Sequence, residues 1–105
     1  MNNFGLPERT ITELINYFKR DPEITKVKIY GSIAKGTFHN GSDIDLAVWL
    51  TNETTLSSIK AELEDLPTPY RFDITNYKTL TNEALKYSID TDGIEIYNIT
   101  NQTHP

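Results

Sequence analysis

Cysteine is absent from this 105-residue chain, which removes disulfides and thiolate metal sites together. Histidine is nearly absent: only His39 and His104 are present, too few for the ligand set of a zinc site. No run of about 18 apolar residues occurs, so no segment reads as a membrane span. The opening stretch, "MNNFGLPERT", lacks the basic-then-apolar pattern of a signal peptide. A soluble cytoplasmic protein is the simplest reading. Positive charge is also short. Ten Lys and Arg stand against fifteen Asp and Glu, a net charge of -5, and the basic residues form no cluster. A long phosphate backbone attracts basic surfaces, so tight nucleic-acid binding is disfavoured. A single nucleotide carried with a divalent metal is not, because the metal supplies the positive charge, and a basic protein partner also fits.

What is present is enough for one modest core. A chain of this length buries roughly two thirds of its unfolded surface, and one domain over residues 1–105 is the natural count. Ile11, Leu14, Ile15 and Phe18 recur at helical spacing, predicting a helix over 8–20 that stops at Pro22. Alternation in "KVKIY" predicts a strand over 26–30, with Val27 and Ile29 inward and Lys26, Lys28 and Tyr30 on the other face. "DIDLAVWL" predicts a strand over 43–50. Ile44, Leu46, Val48 and Leu50 share one face; Asp43, Asp45, Ala47 and Trp49 share the other. A helix over 55–65, broken by "LPTP", leads to a third strand at 70–77, with Phe72 and Ile74 opposite Arg71, Asp73 and Thr75. A helix over about 82–90, capped by Asn82 or Thr81, a turn at 92–93 and a strand over 94–99 complete a core of about 8–98. The polar tail, 100–105, is expected to fray. The order predicts an α/β layering, a sheet covered by helices mainly on one face, with the three aspartates on the open face.

Asp43 and Asp45 point the same way from one strand, and Asp73 is in the same phase of its own. Two unit charges ~5 Å apart repel by roughly 3 kcal/mol at an effective dielectric of ~20. An Asp-x-Asp on the wet face of a strand is often plain solvated surface. Three in phase on two strands is harder to read so, because Asp is depleted in strands. Hard divalent cations with oxygen ligands relieve such clusters, and magnesium keeps positions open for phosphate oxygens and water. Upstream, "YGSIAKG" ends a strand at Tyr30 and opens a short helix at Gly31 and Ser32. Backbone N–H groups at a helix start suit phosphate oxygens, and glycine lets the backbone approach closely. The Ser32 hydroxyl can donate another bond, and Lys35 follows one turn on. A tight turn with a serine cap is the plain alternative.

Gly31-Ser32, ten residues, then Asp43-x-Asp45 resembles the signature of the nucleotidyltransferase superfamily with the DNA polymerase β-like fold. "YGSIAKGTFHNGSDIDLAVWL" is similar to its minimal nucleotidyltransferases (MNT), and "RFDIT" sits where that family has its third carboxylate. The resemblance covers roughly residues 8–98 and implies an α/β (α+β) fold with a mixed sheet. It implies that Asp43 and Asp45 bind two magnesium ions. It implies further that Asp73 completes the metal site and helps to activate the attacking hydroxyl. Gly31 and Ser32 would hold the β and γ phosphates of a nucleoside triphosphate such as ATP, and Ser42 either adds a phosphate contact or is a turn residue. The implied reaction is attack of an acceptor hydroxyl on the α-phosphorus with release of pyrophosphate. One departure stands out: many members carry a basic residue where this chain has Ile33, leaving Lys35. His39 reads as an exposed loop histidine, Trp49 as packing and Arg71 as surface charge, although each is placed to touch the site.

The core consumes the chain, so no second domain is expected to bind an acceptor. In the family, minimal members commonly pair with an all-helical HEPN protein, some as antitoxin and toxin, by transfer of AMP to the partner. The resemblance implies that role here. The alternatives are a non-catalytic module that neutralises a HEPN-type partner by contact alone, and a small-molecule adenylyltransferase. The acceptor, the base preference and any homo-oligomer stay open.

Overall fold

The computed structural model describes residues 7–31, 43–68 and 70–102. Helix α1, Glu8–Lys19, is followed by strand β1, Ile24–Tyr30, and strand β2, Asp43–Leu50. Helix α2, Leu56–Glu64, leads to strand β3, Arg71–Asn76, helix α3, Glu83–Asp92, and strand β4, Ile94–Asn98. Short 3-10 turns lie at Glu53–Thr55, Tyr77–Thr79 and Ile99–Gln102. The last covers part of the segment expected to fray.

The four strands form one mixed sheet in the order β3-β2-β1-β4. β1 pairs antiparallel with both β2 and β4, whereas β2 and β3 run parallel. A parallel pair needs a crossover, and α2 supplies it. β1 begins two residues before the expected position: Ile24 pairs with Leu50 beyond an irregularity between Ile24 and Lys26.

One face of the sheet builds the main core. α1 lays Ile11, Leu14 and Phe18 on it, and α2 adds Ile59 and Leu63. They meet Val27, Ile29, Ile44, Leu46, Val48 and Ile74, the residues that alternation points inward. Fully burying a side chain of this size contributes about 1.5–3 kcal/mol. Phe18 is at the centre, its ring centroid 6.0 Å from that of Tyr17 and 5.7 Å from that of Tyr97. The Tyr17 hydroxyl donates to Glu62, tying α1 to α2. At the end of α1 the Glu23 N–H donates to Asp21 Oδ1 at 2.9 Å, turning the chain at Pro22 into β1.

The opposite face, which carries the aspartates, is not wholly open. α3 starts at Asn82, whose side chain accepts from the Leu85 N–H at 3.1 Å. It packs Ile89 with Tyr30 and Ala47, beside Trp49, Tyr77, Leu80 and Leu85. Two helices thus lie on one face and the third covers part of the other. The cause is local: Ala47, Tyr30 and Trp49 make an apolar patch on an otherwise polar face, and α3 covers it. α3 reaches Asp92 and passes straight into β4 through Gly93, where a Cβ would meet the Ile89 carbonyl oxygen.

Candidate active site

Strand alternation fixes which side chains share the partly open face. On β2 these are Asp43, Asp45, Ala47 and Trp49. The parallel register sets Asp45 beside Asp73, Asp43 beside Arg71 and Ala47 beside Thr75. The antiparallel register sets Tyr30 beside Asp45 on the other side. Asp45 therefore stands in the middle of a row, Tyr30–Asp45–Asp73, across three strands. Adjacent strands are about 4.8 Å apart, so the two carboxylate-bearing positions are immediate neighbours.

The environment of Asp45 differs from that of its neighbours. It is half-buried, whereas Asp43 and Asp73 are exposed. Burial pushes its carboxyl above the usual carboxylate range, and the negative charges of Asp73 and Asp43 push it further. The Tyr30 phenol beside it is also raised, first by burial and then by Asp45 and Asp73. Its hydrogen bond with Thr75 acts in the other direction. At Gly31 the backbone turns with φ of 78°, a conformation that favours glycine. A Cβ there would collide with Asp45 Oδ2. Glycine is thus required at this position both by its backbone angle and by the closeness of a carboxylate.

The aspartates share one face, but their carboxylates do not gather into a ready-made metal cage. Among the described residues no three acidic or histidine side chains stand close enough to hold an ion as they lie. Like charges on neighbouring positions disfavour that arrangement by themselves. The donor set nonetheless fits a hard divalent cation: three oxygen donors on one face of two adjacent strands, one of them held where its own negative charge is penalised. Asp43, Asp45 and Asp73 are the residues that could hold it. Ser32, Lys35 and Ser42, together with Ile33 and His39, lie outside the described residues.

Beside the aspartates is a cleft of about 470 Å³ lined by Asp43, Glu64, Tyr70, Arg71, Phe72 and Asp73. Arg71 forms no ion pair among the described residues, leaving a guanidinium among acids. Trp49 stacks on Tyr77 with centroids 4.5 Å apart, and Lys26 Nζ lies 4.7 Å from the Trp49 centroid. Trp49 is therefore a packing residue on this face. The sequence did not point to Glu64 and Tyr70: Glu64 ends α2, and Tyr70, expected as the first residue of the third strand, lies just ahead of β3. The available signal for Tyr30 was its phase, since it shares the polar face with Asp45.

The family described as "Polymerase beta, Nucleotidyltransferase" matches residues 12–102. The chain belongs to the polymerase β-like nucleotidyltransferase family. No curated protein sequence matches it. Among solved structures, this nucleotidyltransferase domain is similar to a chain in a mutant of the MntA–HpeT toxin–antitoxin complex. The two share 22% identity, with a TM-score of 0.65, over 89% of this chain and 73% of that one. It is also similar to a chain in a toxin–antitoxin crystal structure with AMP-PNP, at 21% identity and a TM-score of 0.60, over 89% and 74% of the two chains. A third likeness, at 14% identity and a TM-score of 0.58, covers 90% of this chain and 74% of the other. That structure is a tri-AMPylated HEPN toxin of Shewanella oneidensis with its MNT antitoxin. At these identities the likeness is one of fold, and the resemblance to minimal nucleotidyltransferases holds at that level.

Proposed function

We propose that this domain transfers AMP from ATP to a hydroxyl on a helical HEPN-type partner protein, in the cytoplasm, as the antitoxin of a toxin–antitoxin pair. The observation that carries this reading is the row across the sheet. A family-matching core sets Asp45 beside Asp73, with Gly31 pressed against Asp45. The neighbours of like fold include an AMP-PNP complex and a tri-AMPylated HEPN toxin with its MNT antitoxin, which supports the nucleotide and the class of partner.

In this reading Asp43, Asp45 and Asp73 hold two magnesium ions. When bound, these would supply the charge that lowers the pKa of the attacking hydroxyl and stabilises the leaving oxygens. Asp73, exposed at the cleft, receives the hydroxyl proton. The acceptor oxygen forms a bond to the α-phosphorus, the bond from that phosphorus to the bridging oxygen breaks, and pyrophosphate leaves. Gly31, Ser32, Lys35 and Ser42 hold the triphosphate, with Arg71 able to offset charge at the cleft. Fixed charge at a phosphoryl centre is the dominant source of acceleration in such reactions.

The test is to incubate the protein with ATP, magnesium and its HEPN-type partner and to weigh both chains. The expected result is a mass gain of one or more AMP on the partner, absent in the Asp43→Ala variant. An intact complex with no gain would replace catalysis with neutralisation by contact.

A further inference from the structure

Tyr30 does more than fill space. It leaves β1 beside Asp45, yet its hydroxyl lies 3.2 Å from the Thr75 hydroxyl on β3, two strands away. To reach it, the side chain must cross β2. Ala47 is the β2 residue paired with Thr75; it is 0% exposed and packs in one cluster with Tyr30, itself 6% exposed. A larger residue at 47 would stand where the tyrosine passes. Asp45 precedes Ala47 by two residues, and Asp73 precedes Thr75 by two. The tyrosine bar therefore runs diagonally across β2, from the Asp45–Asp73 row in which Tyr30 is rooted to the next row, that of Ala47 and Thr75.

We infer that Tyr30 and Thr75 are positioning residues for the metal-binding carboxylates: their hydroxyl contact spans β1 to β3 and holds Asp45 and Asp73 at a set spacing. This rests on the function proposed above, since it concerns the same site. Neither residue needs to touch the nucleotide. The bar restrains the flank of β3, an edge strand joined to the sheet by β2 alone, where the spacing of Asp73 from Asp45 would otherwise have more freedom. Tyr30 also stands beside Asp45 in the β1–β2 register, where Asp45 is half-buried.

The test is calorimetric titration of Mn2+ into the protein alone, for the parent, Tyr30→Phe, Thr75→Val, the double variant and Thr75→Ser. Thermal denaturation in EDTA runs alongside to confirm the fold. Loss of one hydrogen bond of ordinary strength sets the scale. Tyr30→Phe and Thr75→Val should each weaken Mn2+ binding about three- to tenfold. The double variant should be no weaker than the worse single, because both remove the same contact. Thr75→Ser, which keeps the hydroxyl, should bind as the parent does. Ala47→Leu gives an independent perturbation, expected to weaken Mn2+ binding by displacing the ring. Unchanged affinity in folded single variants, or losses that simply add, would overturn the inference while leaving the proposed function standing. A parent that binds no Mn2+ would overturn this inference; the proposed function falls separately, on the absence of AMP transfer to the partner.

Discussion

Gly31→Ala separates two physical costs at one atom position. The first is the backbone: φ of 78° at residue 31 is left-handed, and a side chain there costs about 1–2 kcal/mol. The second is contact: the new Cβ would collide with Asp45 Oδ2 and sit 3.3 Å from Asp45 Cγ. The carboxylate can escape by leaving its rotamer, at about 0.5–1.5 kcal/mol. The two add to about 1.5–3.5 kcal/mol of lost stability. In an Asp45→Ala background the contact is gone and only the backbone cost of about 1–2 kcal/mol remains. Urea denaturation of the four proteins closes the cycle. A coupling of about 0.5–1.5 kcal/mol between positions 31 and 45 is expected. If Gly31→Ala costs the same in both backgrounds, the close approach of Gly31 to Asp45 is not what glycine serves there.

Three further outcomes are expected. Phe18→Ala empties the centre of the main core, where Phe18 is 0% exposed, and should cost about 3–5 kcal/mol by urea denaturation. Asp45→Asn should raise the thermal stability of the metal-free protein at neutral pH, since folding raises that carboxyl above its ordinary 3.8. The carboxylate's penalty develops as pH rises through the carboxylate range, so the advantage should vanish below it. The Tyr17 phenol is raised above the ordinary 10.0, first by burial and then by its bond to Glu62. A neutral form favoured by folding is fully present below that value, so stability should fall as pH climbs past 10.0, and Tyr17→Phe should flatten that decline.

Period-two alternation carried much of the fold. β2 spans 43–50 as its pattern predicts, because both its inward run and its flanks are unambiguous. The same alternation put Asp43, Asp45 and Asp73 on one face, and the parallel register adds that Asp45 and Asp73 are direct neighbours. Alternation could not show that β1 starts at Ile24, since that pairing lies beyond a bulge. Nor could it show that α3 turns to the aspartate face. That choice depends on Ala47 and Tyr30 offering an apolar patch once β1 and β2 are paired. The Tyr30–Thr75 contact was hidden for the same reason: it exists only when β1 and β3 flank β2. A phase assignment also cannot say whether carboxylates converge, and here they share a face without closing into a cage.

Whether Asp43 and Asp73 hold the metal that carries ATP is read by calorimetry of ATP binding with and without magnesium, using the parent, Asp43→Ala and Asp73→Ala with their fold confirmed by circular dichroism. The expected result is ATP binding by the parent that requires magnesium and is lost in both folded variants. ATP binding that persists in EDTA, or that matches the parent in either variant, would contradict the assignment of these carboxylates to the metal.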